Sequence, residues 1–417
     1  MAEYNNIPDD LNLTMQSFLA PGDISNFSRV SKSTRSITSS TMINNFKRRT
    51  WEFHELFDPN LNTYPQYLPY VQYLERVTHV DKITQCELLS VYCHSLTHMT
   101  FSDHFNWHIG INVLPKTLRH LTFGRQYDNA QRPLVMNVFP DNLRHLTFGV
   151  YFNRRIEEHV FPDNLKHLTF GLYFNRRIEE HVLPKGLTRL TFSPSFDNNL
   201  LNTLPKTLTH LTLGGGYLGL DVLPRSLTHL TFGRDFDQPL EEHFLPRTLT
   251  HLTFGQRFNQ SIEERVLPRT LTHLTIGFDF DQPIGEHVLP KTLTHLTFGA
   301  KFNQLVENNV LPKTLTHLTF GLAFNQPIQR TVLPKTLTHL TFGNEFNQPI
   351  PVDTLPPTVR RLTFGSWYDR AVAMKLLSTT LREITFVDGM SLIIGASTVK
   401  FHRKLVPTTA LTYRTSK

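Results

Sequence analysis

Eleven histidines stand in a column: His98, His120, His145, His167, His210, His229, His251, His273, His295, His317 and His339, mostly 22 residues apart. Imidazole is a ligand for zinc, copper or nickel. A metal centre needs three or four converging donors with a supporting outer shell, whereas a flat row offers pairs. The row therefore reads as an exposed stack beside a threonine column, and no metal site is expected. Crowded imidazoles should resist joint protonation and repel one another below about pH 6. A second column is basic: Lys116, Lys185, Lys206, Arg225, Arg247, Arg269, Lys291, Lys313 and Lys335. It has the spacing to track a phosphate backbone, but Asp141 and Asp163 interrupt it and nearby glutamate pairs offset it, so an ion-paired turn edge is the expected reading. Gly214-x-Gly216-x-x-Gly219 matches a dinucleotide fingerprint in letters only. The fingerprint requires a helix N-terminus, and the residues that follow lead to Pro224. No metalloprotease, nucleophile-elbow, Walker or paired-cysteine motif is present. The chain is read as non-catalytic and without cofactor.

These columns are produced by a repeat, typified by LPKTLTHLTFG at Leu333–Gly343. With its proline as position zero, copies begin at Pro115, Pro140, Pro162, Pro184, Pro205, Pro224, Pro246, Pro268, Pro290, Pro312, Pro334 and Pro356. Cys93 and Ser378 start two degenerate copies, giving about 14 units over 93–386, and a fainter one starts at Val71. Leu at +3 and +6 and Phe at +8 alternate with His at +5 and Thr at +7, the period of a strand with one buried face. Gly at +9 ends the strand, an aromatic follows at +12, and Asn or Asp stands at +13. Two prolines in many 22-residue units leave no room for a full helix. Each unit is read as a strand, a turn, an aromatic anchor, an extended return and a second turn. No unit buries its apolar face until neighbours stack upon it.

Composition agrees. A chain of 417 residues with 39% hydrophobic residues suits stacking better than one compact core. A formal charge of +7 draws attention to acidic partners, but both signs are interleaved. Two cysteines give no disulfide framework and fit a reducing compartment. Neither a signal peptide nor a membrane span is expected, which fits a cytoplasmic location. Residues 1–55 read as a small all-α module: Ile7-Pro8-Asp9-Asp10 starts a helix, and Leu11, Met15, Phe18 and Leu19 give it one apolar face. Residues 56–92 read as connector and solenoid cap, and 387–417 as a C-terminal cap and tail.

The opening module resembles an F-box through Ile7, Pro8, Asp10, Leu11, Met15, Phe18, Leu19, Pro21, Asp23, Ile24, Val30, Ser31 and Lys32, with Thr34 where many F-boxes carry Trp. The repeats resemble leucine-rich repeats, and more specifically the FNIP repeat family, through Phe324-Asn325-Gln326-Pro327-Ile328 and its counterparts. That family occurs in social amoebae and in giant DNA viruses of amoebae, often behind an F-box, and a viral source would imply the host cytoplasm. The two resemblances imply the substrate-recognition subunit of a cullin–RING (SCF-type) ubiquitin ligase. In it Pro8, Leu11, Met15, Leu19, Ile24 and Val30 would dock on a Skp-type adaptor and its cullin. The alternatives are an interaction scaffold without a ligase link and a nucleic-acid-binding solenoid using the basic column. Internal comparison of the copies locates the target surface. Offsets +10 and +11 vary most, so Tyr151, Tyr173, Arg234, Asp235, Arg257, Phe278, Lys301, Leu322, Glu345 and Trp367 are the expected rim for a target protein.

Overall fold

The computed structural model describes residues 50–52, 76–82, 86, 90, 93–128, 132–134, 136–198, 200, 202–215, 222–368, 381, 383–386, 390–394 and 399–403. The chain forms two compact units, Met1–Thr207 and Leu208–Lys417. In the first, β1 (Trp51–Glu52), β2 (Arg76–Val80), β3 (His98–Phe101), β4 (His120–Thr122), β5 (His145–Thr147), β6 (His167–Thr169) and β7 (Arg189–Thr191) follow in chain order. Each is parallel to the next, with His98, His120, His145 and His167 aligned and Arg189 continuing the column. Residues 51–52, read as the end of the helical module, are thus a strand.

The second unit runs through β8 (His210–Thr212), β9 (His229–Thr231), β10 (His251–Thr253), β11 (His273–Thr275), β12 (His295–Thr297), β13 (His317–Thr319), β14 (His339–Thr341), β15 (Arg361–Phe364) and β16 (Glu383–Phe386), all parallel in the same register. It closes on an antiparallel hairpin, β17 (Met390–Ile394) and β18 (Val399–Arg403), β17 pairing with β16. The repeat pattern contains no signal for this hairpin.

Each coil buries its apolar set almost completely. In the coil opened by Pro312, Leu315, Leu318, Phe320, Phe324, Ile328, Val332 and Leu333 are all at most 5% exposed. The +8 ring stacks on the +12 ring of its own coil, as in Phe320–Phe324 at 3.9 Å. The +12 rings then stack from coil to coil, Phe302–Phe324–Phe346 at 6.1 Å. Such pairs contribute about 0.5–1.5 kcal/mol each beyond area burial.

Polar columns complete the stack. The +13 side chain accepts the backbone N–H of the next +13 residue: Asn303 from Asn325, and Asn325 from Asn347, both at 2.9 Å. Gln at +14 reaches back to the same acceptor, as Gln348 does to Asn325 at 3.1 Å. Thr at +2 sits 2.6–2.8 Å from two carbonyls of the preceding coil, as Thr314 does from Lys291 and Leu293. The second turn is left-handed three residues before the proline, at Asn112, Asn137, His181, Asn309 and others, and includes Arg265 and Thr331. Asn and His are among the non-glycine residues that tolerate this region best.

Candidate interaction surface

The sheet face carries the histidine row. In the second unit successive rings from His210 to His339 lie 4.0–4.2 Å apart and within 13° of parallel. The Oγ1 of the preceding threonine holds each Nδ1 at 2.9 Å, which fixes the ring plane. In the first unit Thr97 serves His98 in the same way. Arg119 and Arg144 take the threonine position in the next two coils, and the Nδ1 atoms of His120 and His145 are buried without a partner. Where Arg189 ends the row, His145 and His167 meet edge to face.

Burial, followed by the charges of His98 and His145, lowers the pKa of His120 to about 4. Burial, and then neighbouring imidazoles, also lowers His251, His295 and His317. At these positions the neutral imidazole is favoured. The row is half-buried rather than fully exposed, and burial adds to the crowding that disfavours charge at these residues. Among the described residues no group of three or more His, Cys, Asp or Glu converges as a metal site. Both cysteines are buried and neither is in a disulfide, and burial pushes the Cys93 thiol up to about 12, far from a reactive thiolate. Gly216 and Gly219 lie outside the described residues.

The basic side chains at +1 are exposed, but the glutamates expected to offset them pair elsewhere. Glu157 meets Arg155 at 3.5 Å and Glu179 meets Arg177 at 3.3 Å. Glu242 meets His243, and Arg247 contacts that same imidazole.

The +10 and +11 positions form a rim whose backbone is fixed and whose side chains are not. In the second unit the +11 N–H bonds the +10 carbonyl of the coil before, as in Arg257 to Arg234 and Lys301 to Phe278, both 2.9 Å. Several charges there are engaged internally: Asp235 pairs with Arg257 at 3.0 Å and Asp279 with Lys301 at 2.7 Å. Phe278 is half-buried, whereas Arg234, Leu322, Glu345 and Trp367 are exposed, Trp367 at 65%.

In the first unit the rim of the coils opened by Pro140 and Pro162 is apolar. Tyr151, Leu172 and Tyr173 are each nearly half exposed, and the two tyrosine rings stack at 5.3 Å. Beside them an open cleft of about 480 Å³ is lined by Pro133, Asn153, Arg154, Arg155, Arg176, Arg177 and Glu179. The tyrosine stack and this cleft were not read from the sequence, although the near-identical stretches from Asn153 and Asn175 held the signal. Pro8, Leu11, Met15, Leu19, Ile24, Val30 and Thr34 lie outside the described residues. Among the described residues no helix is long and apolar enough to cross a membrane.

The FNIP Repeat family model matches residues 93–126, 131–173, 174–216, 218–257, 258–301, 280–323, 302–345 and 324–367. No curated protein matches the chain. Among solved structures the chain is similar to CroV588, described as a novel circular LRR protein structure. The identity is 43% and the TM-score 0.64, over 76% of this chain and 50% of that one. It is also similar in fold to the protein in the TLR13–ssRNA13 complex, at 13% identity and a TM-score of 0.51, over 82% of this chain and 62% of that one. The chain thus spans half to under two thirds of these relatives' lengths.

Proposed function

We propose, from the premise that the chain belongs to the FNIP repeat family, that its rim holds a target protein while its N-terminal residues recruit a ubiquitin-ligase core. The coarser part, a leucine-rich-repeat-like interaction scaffold, follows from the repeat architecture and its similarity to CroV588. The observation carrying the rim reading is the contrast between neighbouring positions. Offsets +8, +9, +12 and +13 are held nearly constant by stacking, ladder bonds and close backbone approach, while +10 and +11 between them vary and project exposed side chains. Exposed Tyr and Trp are residue types enriched where binding energy concentrates.

The ligase reading rests on the F-box-like residues Pro8, Leu11, Met15, Leu19, Ile24 and Val30, which would bury apolar side chains on a Skp-type adaptor. Other subunits would then transfer ubiquitin to the target, and this chain would supply no catalytic group. Its test is co-purification from amoebal lysate of the intact chain, a 1–55 deletion and a Pro8→Ala/Leu11→Ala variant. Adaptor and cullin recovered with the intact chain alone support the ligase link. Equal recovery with all three, or with none, leaves a scaffold without one.

A nucleic-acid reading would use the +1 column of exposed cations. It requires binding that falls steeply with salt.

A further inference from the structure

We infer that the arginine cleft of the first unit, with the tyrosine pair beside it, binds a carboxylate-rich segment of another polypeptide. This rests on the reading of the rim as a target surface and names one part of it and the chemistry it takes.

Most coils of the second unit carry Gln at +14, usually followed by Pro, as in Gln326-Pro327. The glutamine serves the scaffold, donating to Asn303 of the coil before at 3.0 Å. Two adjacent coils in the first unit replace the pair with Arg154-Arg155 and Arg176-Arg177. The +14 arginines still bond backwards along the stack. Arg154 bonds Asp128, and Nε of Arg176 donates to the Asn153 carbonyl at 3.1 Å. The Arg154 charge is met by Asp128 of the coil before, but the charges at +15, Arg155 and Arg177, make no ion pair to a neighbouring coil among the described residues. They stand as like charges in register on neighbouring coils, an arrangement that destabilises a sheet unless something offsets it.

Four guanidinium groups and a single carboxylate, Glu179, line the cleft. Arg155 and Arg177 are 68% and 74% exposed, in ion pairs longer than 3.2 Å. Exposed pairs of this kind are weak, so a ligand carboxylate can take over either arginine with bidentate geometry. Arg176 has no carboxylate partner among the described residues.

The surroundings favour polypeptide over nucleic acid. Asp128 and Glu157 stand at the edge of the cleft, bonded to Arg154 and Arg155. A phosphate backbone, charged at every residue, would run onto them, whereas a polypeptide can set its carboxylates on the arginines and neutral side chains beside the acids. The tyrosines stack upon each other, which closes the slot a base would enter but leaves their outer edges for an apolar or aromatic side chain.

The test uses the full chain and a fluorescein-labelled random copolymer of glutamate and tyrosine, read by anisotropy. The variant R154Q/R155P/R176Q/R177P restores the Gln-Pro pair of the other coils, so the fold should be kept, checked by an unchanged thermal midpoint. Copolymer binding should weaken at least tenfold in that variant, and also in Tyr151→Ser/Tyr173→Ser. Equal binding by wild type and the arginine variant overturns the inference, as does no binding by wild type. Tighter binding of a 20-nucleotide oligo-dT, lost in the arginine variant, overturns it in favour of nucleic acid. Copolymer binding lost only on Leu322→Ser/Trp367→Ser removes the cleft but leaves the rim reading intact.

Discussion

Replacing Gly299 by alanine should break the stack locally. A Cβ there would lie 1.7 Å from the Gly277 carbonyl oxygen and 2.7 Å from its carbon. Both are rigid backbone of the neighbouring coil. The constraint is space rather than dihedral angle. Clearing the clash requires the coils to part by about 1.8 Å, given ordinary non-bonded contact near 3.5 Å. The bonds from Lys301 N to Phe278 O and from Asn303 N to Asp281 Oδ1, each 2.9 Å, would then exceed hydrogen-bonding distance. Overpacking costs about 1–3 kcal/mol and each lost bond about 1 kcal/mol, so a loss of about 3–5 kcal/mol is expected. Hydrogen exchange read by mass spectrometry, with a urea titration, would locate the lost protection around residues 277–303. Gly285→Ala is the control, because its Cβ would meet only Val288 Cγ2 at 3.6 Å, and it should be neutral. A loss below about 1 kcal/mol at Gly299, or an equal loss at Gly285, would refute the reasoning. Ser193 shows what accommodation takes: its Oγ donates to the Leu172 carbonyl and accepts from Ser195 N, rewiring a turn that alanine could not.

Other perturbations probe separate columns. Asn325→Ala should cost about 1–3 kcal/mol by orphaning the Asn347 N–H, while Asn325→Asp should be tolerated, since Asp281 already serves in the ladder; urea midpoints decide. Thr331→Asn should stabilise by about 0.5–1 kcal/mol, because a β-branched residue is strained at φ 73° and asparagine is less so; no rise in midpoint would count against strain there. The histidine row makes stability pH-dependent. The folded pKa values of His120, His145, His251, His295, His317 and His339 are lowered, so below about pH 6.5 the unfolded chain binds more protons at these positions. The contribution is complete above that pH and is lost as pH falls through the folded values, about 4 for His120. Thermal midpoints should drop between pH 6.5 and 4.5, less so in His295→Gln, and a flat profile would contradict this.

The strand register, the buried Leu and Phe positions and the aromatic column were legible because each recurs at a fixed offset, so one coil checks another. The +13 ladder was legible for the same reason, as Asn and Asp interchange there. What escaped was relational. Whether Asp235 is free or paired depends on Arg257 in the adjacent coil, and no single copy carries that information. The left-handed turn was half visible: Asn112, Asn137 and Asn309 hinted at it, but Arg265 and Thr331 concealed it. The hairpin of β17 and β18 lies beyond the last copy, where periodicity has nothing to compare.

The ladders outside the strands also have a direction. Within each unit the donors at +2, +11, +13 and +14 all reach towards the preceding coil. The +8 donors point the other way, as Phe320 N–H does to the Thr341 carbonyl of the following coil at 2.9 Å, so each coil is held by both neighbours, with most of its donors outside the strands facing back. The two ends of a stack are then chemically unlike, the leading coil rich in unmet donors and the trailing coil in unmet acceptors. One cap cannot serve both, and an antiparallel hairpin on β16 is a solution for the trailing end alone.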